Sequence, residues 1–127
     1  MHRTPQEIID LHRQFERRVR GCTRLQIQEL KAQFDRDLRS VRWEGTVEDV
    51  SIGEGKYRLE LIMRVDLGDG RGPVEMDLVA DIHAQQPPRE RLLALQRGQR
   101  VAIVGVPHFD EYTRPNWTFH MLSATLV

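Results

Sequence analysis

Aromatic side chains and one arginine lie close together in the segment from His108 to Trp117, which also holds Phe109, Tyr112 and Arg114. Aromatic faces beside a cation suit single-stranded nucleic acid, because bases stack on the rings while a guanidinium holds phosphate. The same residues also suit a small satellite core in which Trp117 closes one end of a folded domain. We expect Phe109, Tyr112 and Arg114 to contact nucleic acid if any is bound, and neither of those two aromatics to lie in a regular strand.

A second candidate group consists of arginines near the N-terminus. Arg13, Arg17, Arg20 and Arg24 are spaced by three or four residues, so they would share one face of a continuous helix. Such a stripe could follow a phosphate backbone. The alternative is an ordinary solvated helix face whose charges pair with nearby acidic residues.

Patterns for catalysis or cofactor binding are absent from the sequence. The five histidines show no metal-ligand spacing, and a single cysteine, Cys22, excludes an internal disulfide and a cysteine-based zinc site. The glycine-rich segments 53–55 and 68–70 are typical of hairpin turns rather than phosphate loops. We therefore predict no enzyme, no catalytic residue, no metal and no cofactor.

Composition limits the class of protein. The chain has 127 residues and a formal net charge of +0, which argues against a histone-like electrostatic binder. Residues 1–42 carry 10 basic and 6 acidic side chains, whereas residues 43–127 carry 9 and 13. The N-terminus has no apolar run and the longest uncharged stretch, residues 115–127, is polar. We therefore expect a cytoplasmic protein with no membrane partner.

The first 41 residues predict two amphipathic helices. Thr4 and Thr23 each begin a capping-box pattern, and shifting the chain by 19 residues superimposes seven identical positions. Each helix carries one apolar stripe; together the stripes comprise Ile8, Leu11, Phe15, Val19, Ile27, Leu30, Phe34 and Leu38. Gly21 is a helix stop that lets the stripes face each other. The prediction is an antiparallel hairpin with helices over about residues 5–20 and 24–40.

These eight apolar side chains require a partner surface. Either the hairpin packs on the rest of its own chain, or a second subunit covers it. We expect a homodimer in which two hairpins form a four-helix bundle. A mass near 14.9 kDa in light scattering would exclude that dimer.

The remainder, residues 42–127, alternates with period two. It predicts strands over 43–50, 57–66, 74–83, 101–106 and 117–126, with a short helix over 89–96 between the third and fourth strands. Gly45-x-Val47-x-x-Val50 lies in the first strand, and Leu95-x-x-Gly98-x-x-Val101 leads into the fourth. With these motifs, about two thirds of the chain resembles an OB-fold domain of the anticodon-binding and single-strand-binding type. The predicted fold class is α+β: a helical hairpin over 1–41 followed by a five-stranded OB-fold barrel.

The resemblance implies binding of single strands across the second and third strands. Outward positions there hold five acids against two arginines and no aromatic residue: Arg58, Glu60, Ile62, Arg64, Asp66, Glu75, Asp77, Val79, Asp81 and His83. We expect a non-catalytic module that binds single-stranded nucleic acid weakly or within a complex. The alternative is a protein-interaction or dimerisation module that binds no nucleic acid.

Overall fold

The computed structural model of the chain describes residues 3–66, 70, 72–83, 89–110 and 118–127, except for the side chains of residues 109 and 110. The helices are α1 (Pro5–Val19), α2 (Arg24–Asp37) and α3 (Arg89–Leu93). The strands are β1 (Val41–Gly53), β2 (Lys56–Asp66), β3 (Pro73–His83), β4 (Arg100–Gly105), β5 (Pro107–Asp110), β6 (Thr118–Met121) and β7 (Thr125–Leu126). Across these ranges no helix has the length and apolar content needed to span a bilayer.

The predicted hairpin forms, and both capping boxes are present. The Thr4 hydroxyl accepts the backbone N–H of Glu7, and the equivalent bond joins Thr23 to Gln26. Gly21 adopts a left-handed φ of 76° in the turn, where a side chain would be strained. At the open end of the hairpin, opposite this turn, the start of α1 meets the end of α2. There the Arg3 guanidinium donates to the carbonyl of Asp37 at 2.9 Å.

The strands form one curled, mixed sheet in the order β5-β6-β3-β2-β1-β4-β7. β1, β2 and β3 form an antiparallel meander, and β6 runs parallel to β3. β4 and β5 are separated only by Val106, yet they lie near opposite ends of this order. The sheet must therefore curl until its two ends approach each other. This connectivity, with α3 between the third and fourth strands, is that of an OB-fold.

The prediction of five strands was wrong in detail, because the predicted fourth and fifth strands are each divided in two. Pro107 has no N–H to donate, and there the chain changes partner from β1 to β6. The last strand breaks at a bend over residues 122–123, after which β7 pairs with β4 instead of β3. The helix is also shorter than predicted and ends at Leu93 rather than Gln96.

The hairpin packs on its own barrel. Ile8, Ile9 and Leu38 are buried in the same apolar core as the inward side chains of the strands, and the rings of Trp43 and Phe119 meet edge to face there. The Trp43 indole N–H also donates to the carbonyl of Arg3 at 2.8 Å. The base of the hairpin is therefore held by both apolar burial and a hydrogen bond.

This packing removes two of the eight predicted dimer-interface residues, Ile8 and Leu38, from any surface that a second subunit could reach. The reason is that the same stripe faces the barrel at the open end of the hairpin. The other six positions are half-buried, and the rings of Phe15 and Phe34 lie 4.9 Å apart within the hairpin. Dimerisation through these six remains a prediction.

Candidate nucleic-acid interface

The outer face of β2 and β3 contains a buried carboxylate that the sequence predicted to be outward. Asp81 does point to this face, but it is only 6% exposed. Its Oδ1 lies 3.3 Å from Nε of Arg58, and its Oδ2 lies 3.1 Å from Nε2 of His120. His120 comes from β6, whose parallel pairing with β3 could not be read from local sequence. Arg58 is therefore paired with Asp81, which it shares with His120.

The second arginine of this face also has an acidic neighbour. Arg64 of β2 lies directly opposite Glu75 of β3, while Ile62 lies opposite Asp77. The outward positions of these two strands carry five acids, two arginines and Lys56, which was not among the predicted outward positions, and include no Phe, Tyr or Trp. A phosphate chain laid across this face would therefore meet repulsion and no stacking surface among the described positions.

The arginine stripe predicted near the N-terminus does not form one helix face. α1 ends at Val19, Arg20 is its C-cap, and Arg24 is the first residue of α2. The turn at Gly21 interrupts the helical periodicity on which the predicted stripe depended. Arg13 lies within α1, is half-buried, and its carbonyl accepts a hydrogen bond from the Arg17 side chain at 3.4 Å.

The same turn gathers four arginines at the far end of the hairpin: Arg17, Arg18, Arg20 and Arg24. We call this group the arginine tip. All four are exposed, and none forms an ion pair with another described residue. The sequence contains no acidic residue from position 17 to position 28. That gap was the signal that could have identified the tip, including Arg18, which was not among the predicted site residues.

The positive potential of the arginine tip comes from its side chains. The first turn of α2 holds no acidic side chain, but Thr23 caps its N-terminus and the C-terminal end of α1, which carries the opposite partial charge, lies in the same turn. Cys22 is half-buried in the turn, where its thiol donates to the carbonyl of Arg18 at 3.2 Å. This bond connects the turn back to the last turn of α1.

The predicted aromatic loop lies mostly outside the described residues, which exclude Tyr112, Arg114 and Trp117. Phe109 does not lie in a loop as expected. It is part of β5 and pairs with Phe119 of β6. That ladder joins two segments that residues 111–117 separate in the chain, so local sequence does not reveal it.

No protein-family model and no curated protein sequence matches the chain. Among solved structures, a small single-stranded DNA binding protein from Mycoplasma pneumoniae is similar over 71% of this chain and 92% of its own, at 13% identity and a TM-score of 0.47. Plasmodium falciparum SSB, in complex with ssDNA, matches 72% of this chain and 94% of its own at 15% identity and a TM-score of 0.43. A chain of the S. pombe Stn1-ten1 complex is similar over 71% of this chain and 59% of its own, at 20% identity and a TM-score of 0.38. Because these TM-scores are low, the fold assignment rests on the strand topology described above.

Proposed function

We propose that this chain is a non-catalytic OB-fold module that binds single-stranded nucleic acid and that its arginine tip supplies the phosphate contacts. The observation that carries the proposal is the concentration of four exposed arginines in a stretch without acids. The acidic outer face of β2 and β3 supports it indirectly, because that face is unsuited to a phosphate chain. The proposed strand therefore approaches the hairpin rather than lying across the middle of the sheet.

Binding by the arginine tip is expected to be weak and strongly salt-dependent. Each phosphate neutralised on a single strand contributes about −0.7 to the slope of log affinity against log salt. Four contacts then give a slope of about −3, or roughly a fiftyfold loss of affinity between about 50 and 200 mM salt.

Base stacking completes the proposal. Phe109, Tyr112 and Arg114 remain our candidates for this role on the sequence evidence given above. Stacking on an aromatic side chain contributes about 1–3 kcal/mol per base with little sequence preference. Such a module would bind DNA and RNA strands with similar affinity.

The internal repeat of the hairpin offers a matched pair of variants for the test. Arg17→Gln/Arg20→Gln removes two charges from the tip, while Arg36→Gln/Arg39→Gln removes two from the equivalent positions of the second repeat, at the other end of the hairpin. Affinity for fluorescein-labelled DNA and RNA strands is measured by anisotropy over a salt series. We expect the tip variant to reduce the magnitude of the salt slope by about 1.4, because one contact of about 0.7 is lost per arginine.

The control variant should change the slope by less than about 0.5, since it leaves the tip intact. Equal slope changes in the two variants would mean that only the net charge of the chain matters and that the arginine tip does not contact the strand. Failure of the parent protein to bind either strand at about 50 mM salt would contradict the proposed function itself.

A further inference from the structure

The outward acids of β2 and β3 gather at one end of these strands. Four of them lie there and form what we call the acidic patch: Glu60, Asp66, Glu75 and Asp77. Arg64, opposite Glu75, is the one basic residue among the outward positions of this end, which leaves three negative charges in excess. Residues 67–72, which join the two strands, add one acid and one arginine. Glu60, Glu75 and Asp77 form no ion pair with another residue that the structure describes.

Charges around the acidic patch are paired or distant. On β2, Arg58 lies 3.3 Å from Asp81. On β1, Asp49 lies 3.8 Å from Arg97. Lys56 is the first residue of β2, and its register partner is the last residue of β3, at the opposite end from the patch. The negative potential at this end of the sheet therefore comes from the patch itself.

Two apolar side chains lie among these acids. Ile62 is directly opposite Asp77, and Val79 is directly opposite Glu60. Both apolar side chains are half-buried, so each keeps part of its surface accessible on the outer face of the sheet. The acidic patch thus surrounds a small apolar centre.

The arginine tip has the complementary arrangement. Its four arginines lie in a stretch, residues 17–28, that contains no acid. Leu25 follows Arg24 in the first turn of α2 and is 66% exposed. The tip therefore presents an apolar side chain with positive charges around it, and the patch presents apolar side chains with negative charges around them. An apolar centre inside a polar rim is the usual arrangement of a protein–protein interface.

The arginine tip and the acidic patch of one chain do not contact each other. No arginine of the tip is paired with an acid among the described residues, and burial of Ile8 and Ile9 fixes the base of the hairpin on the barrel. Contact between two copies is not opposed by overall repulsion, because the formal net charge of the chain is +0. That zero conceals a separation: residues 1–42 carry four more basic than acidic side chains, and residues 43–127 carry four fewer.

We propose that the arginine tip of one copy of this chain binds the acidic patch of a second copy. The tip arginines pair with Glu60, Glu75 and Asp77, and Leu25 packs against Ile62 and Val79. The contact joins two different surfaces, so it is a head-to-tail interface rather than a symmetric one. It shares the tip with the proposed function but is measured without nucleic acid, so either proposal can fail while the other stands.

Light scattering of the parent protein, free of nucleic acid, tests whether the contact forms. At about 20 mM salt and about 200 μM protein, we expect an average mass of at least about one and a half times 14.9 kDa. At about 500 mM salt we expect the single mass, because the screening length falls from about 20 Å to about 4 Å.

Two variants each remove one side of the contact. Arg20→Glu/Arg24→Glu leaves the tip without net charge, and Glu60→Lys/Asp77→Lys makes the net charge of the patch positive. We expect each variant alone to associate at least about tenfold more weakly than the parent. An equimolar mixture should associate again and stop at twice 14.9 kDa, because one variant keeps an intact patch and the other an intact tip.

The control Arg36→Glu/Arg39→Glu makes the same change of charge at the other end of the hairpin and should associate within about twofold of the parent. Three results would overturn the proposal. The parent could keep the single mass at about 20 mM salt and about 500 μM protein. Its association could be insensitive to salt and to both variants, which would assign it to the apolar stripes of the hairpin. The mixture could keep the single mass while circular dichroism shows both variants folded.

Discussion

Replacing Ile9 with alanine tests whether the hairpin and the barrel fold as one unit. Ile9 lies on α1, is 0% exposed, and belongs to the core that the strands enclose. The substitution removes buried apolar atoms and leaves a cavity, since the surrounding strands cannot collapse fully. Such substitutions cost about 2–5 kcal/mol. A domain of this size has a total stability of about 5–15 kcal/mol, so this single change is a large fraction of it.

The assay is denaturant unfolding followed by two probes. Far-ultraviolet circular dichroism reports the helices, and tryptophan fluorescence reports the barrel through Trp43, which is buried. We expect both signals to change in one coincident transition, with a lower midpoint and an unchanged slope. Leu25→Ala is the control, because Leu25 is on α2 and 66% exposed, and its loss should change the free energy of unfolding by less than about 0.5 kcal/mol.

Two outcomes would refute this reasoning. A change of less than about 1 kcal/mol in Ile9→Ala would mean that Ile9 is not enclosed by the barrel. Loss of the helical signal before the fluorescence change would mean that the hairpin unfolds independently of the barrel.

Three further predictions concern single residues. Trp43→Phe removes the indole N–H that donates to the Arg3 carbonyl. We expect the free energy of unfolding, measured by denaturant titration, to fall by about 1 kcal/mol, and an unchanged midpoint would contradict this. Asp81→Ala removes the carboxylate shared by Arg58 and His120, and we expect the free energy of unfolding to fall by about 1–3 kcal/mol. A gain in stability would instead show that burying this carboxylate costs more than its hydrogen bonds contribute. Tyr112→Ala should weaken single-strand binding by about 1–3 kcal/mol if the aromatic loop stacks on bases, and an unchanged dissociation constant would leave the arginine tip alone as the contact.

Much of the secondary structure could be predicted because it depends on neighbours in sequence. A capping box needs residues three positions apart, so Thr4 and Thr23 identified both helix starts. Alternation with period two identified β2 and β3, since each buries every second residue along most of its length. The α+β class and the OB-fold followed from the order of these elements. The arginines at the hairpin turn were also visible in the sequence, although the predicted stripe assigned them to the wrong geometry.

Non-local pairing decided the rest, because the residues involved are far apart in the chain. The division of the last two strands depends on which strand each half meets, and β3 pairs in parallel with a strand that begins 35 residues after β3 ends. Asp81 is outward by its alternation, yet it is buried and contacts a histidine from that strand. Pairing between β1 and β4 stops at Thr46, and a local pattern cannot encode where a partner strand ends. Sequence alone thus determined the local elements and their charges, while tertiary packing decided which faces are buried and which remain available to a ligand.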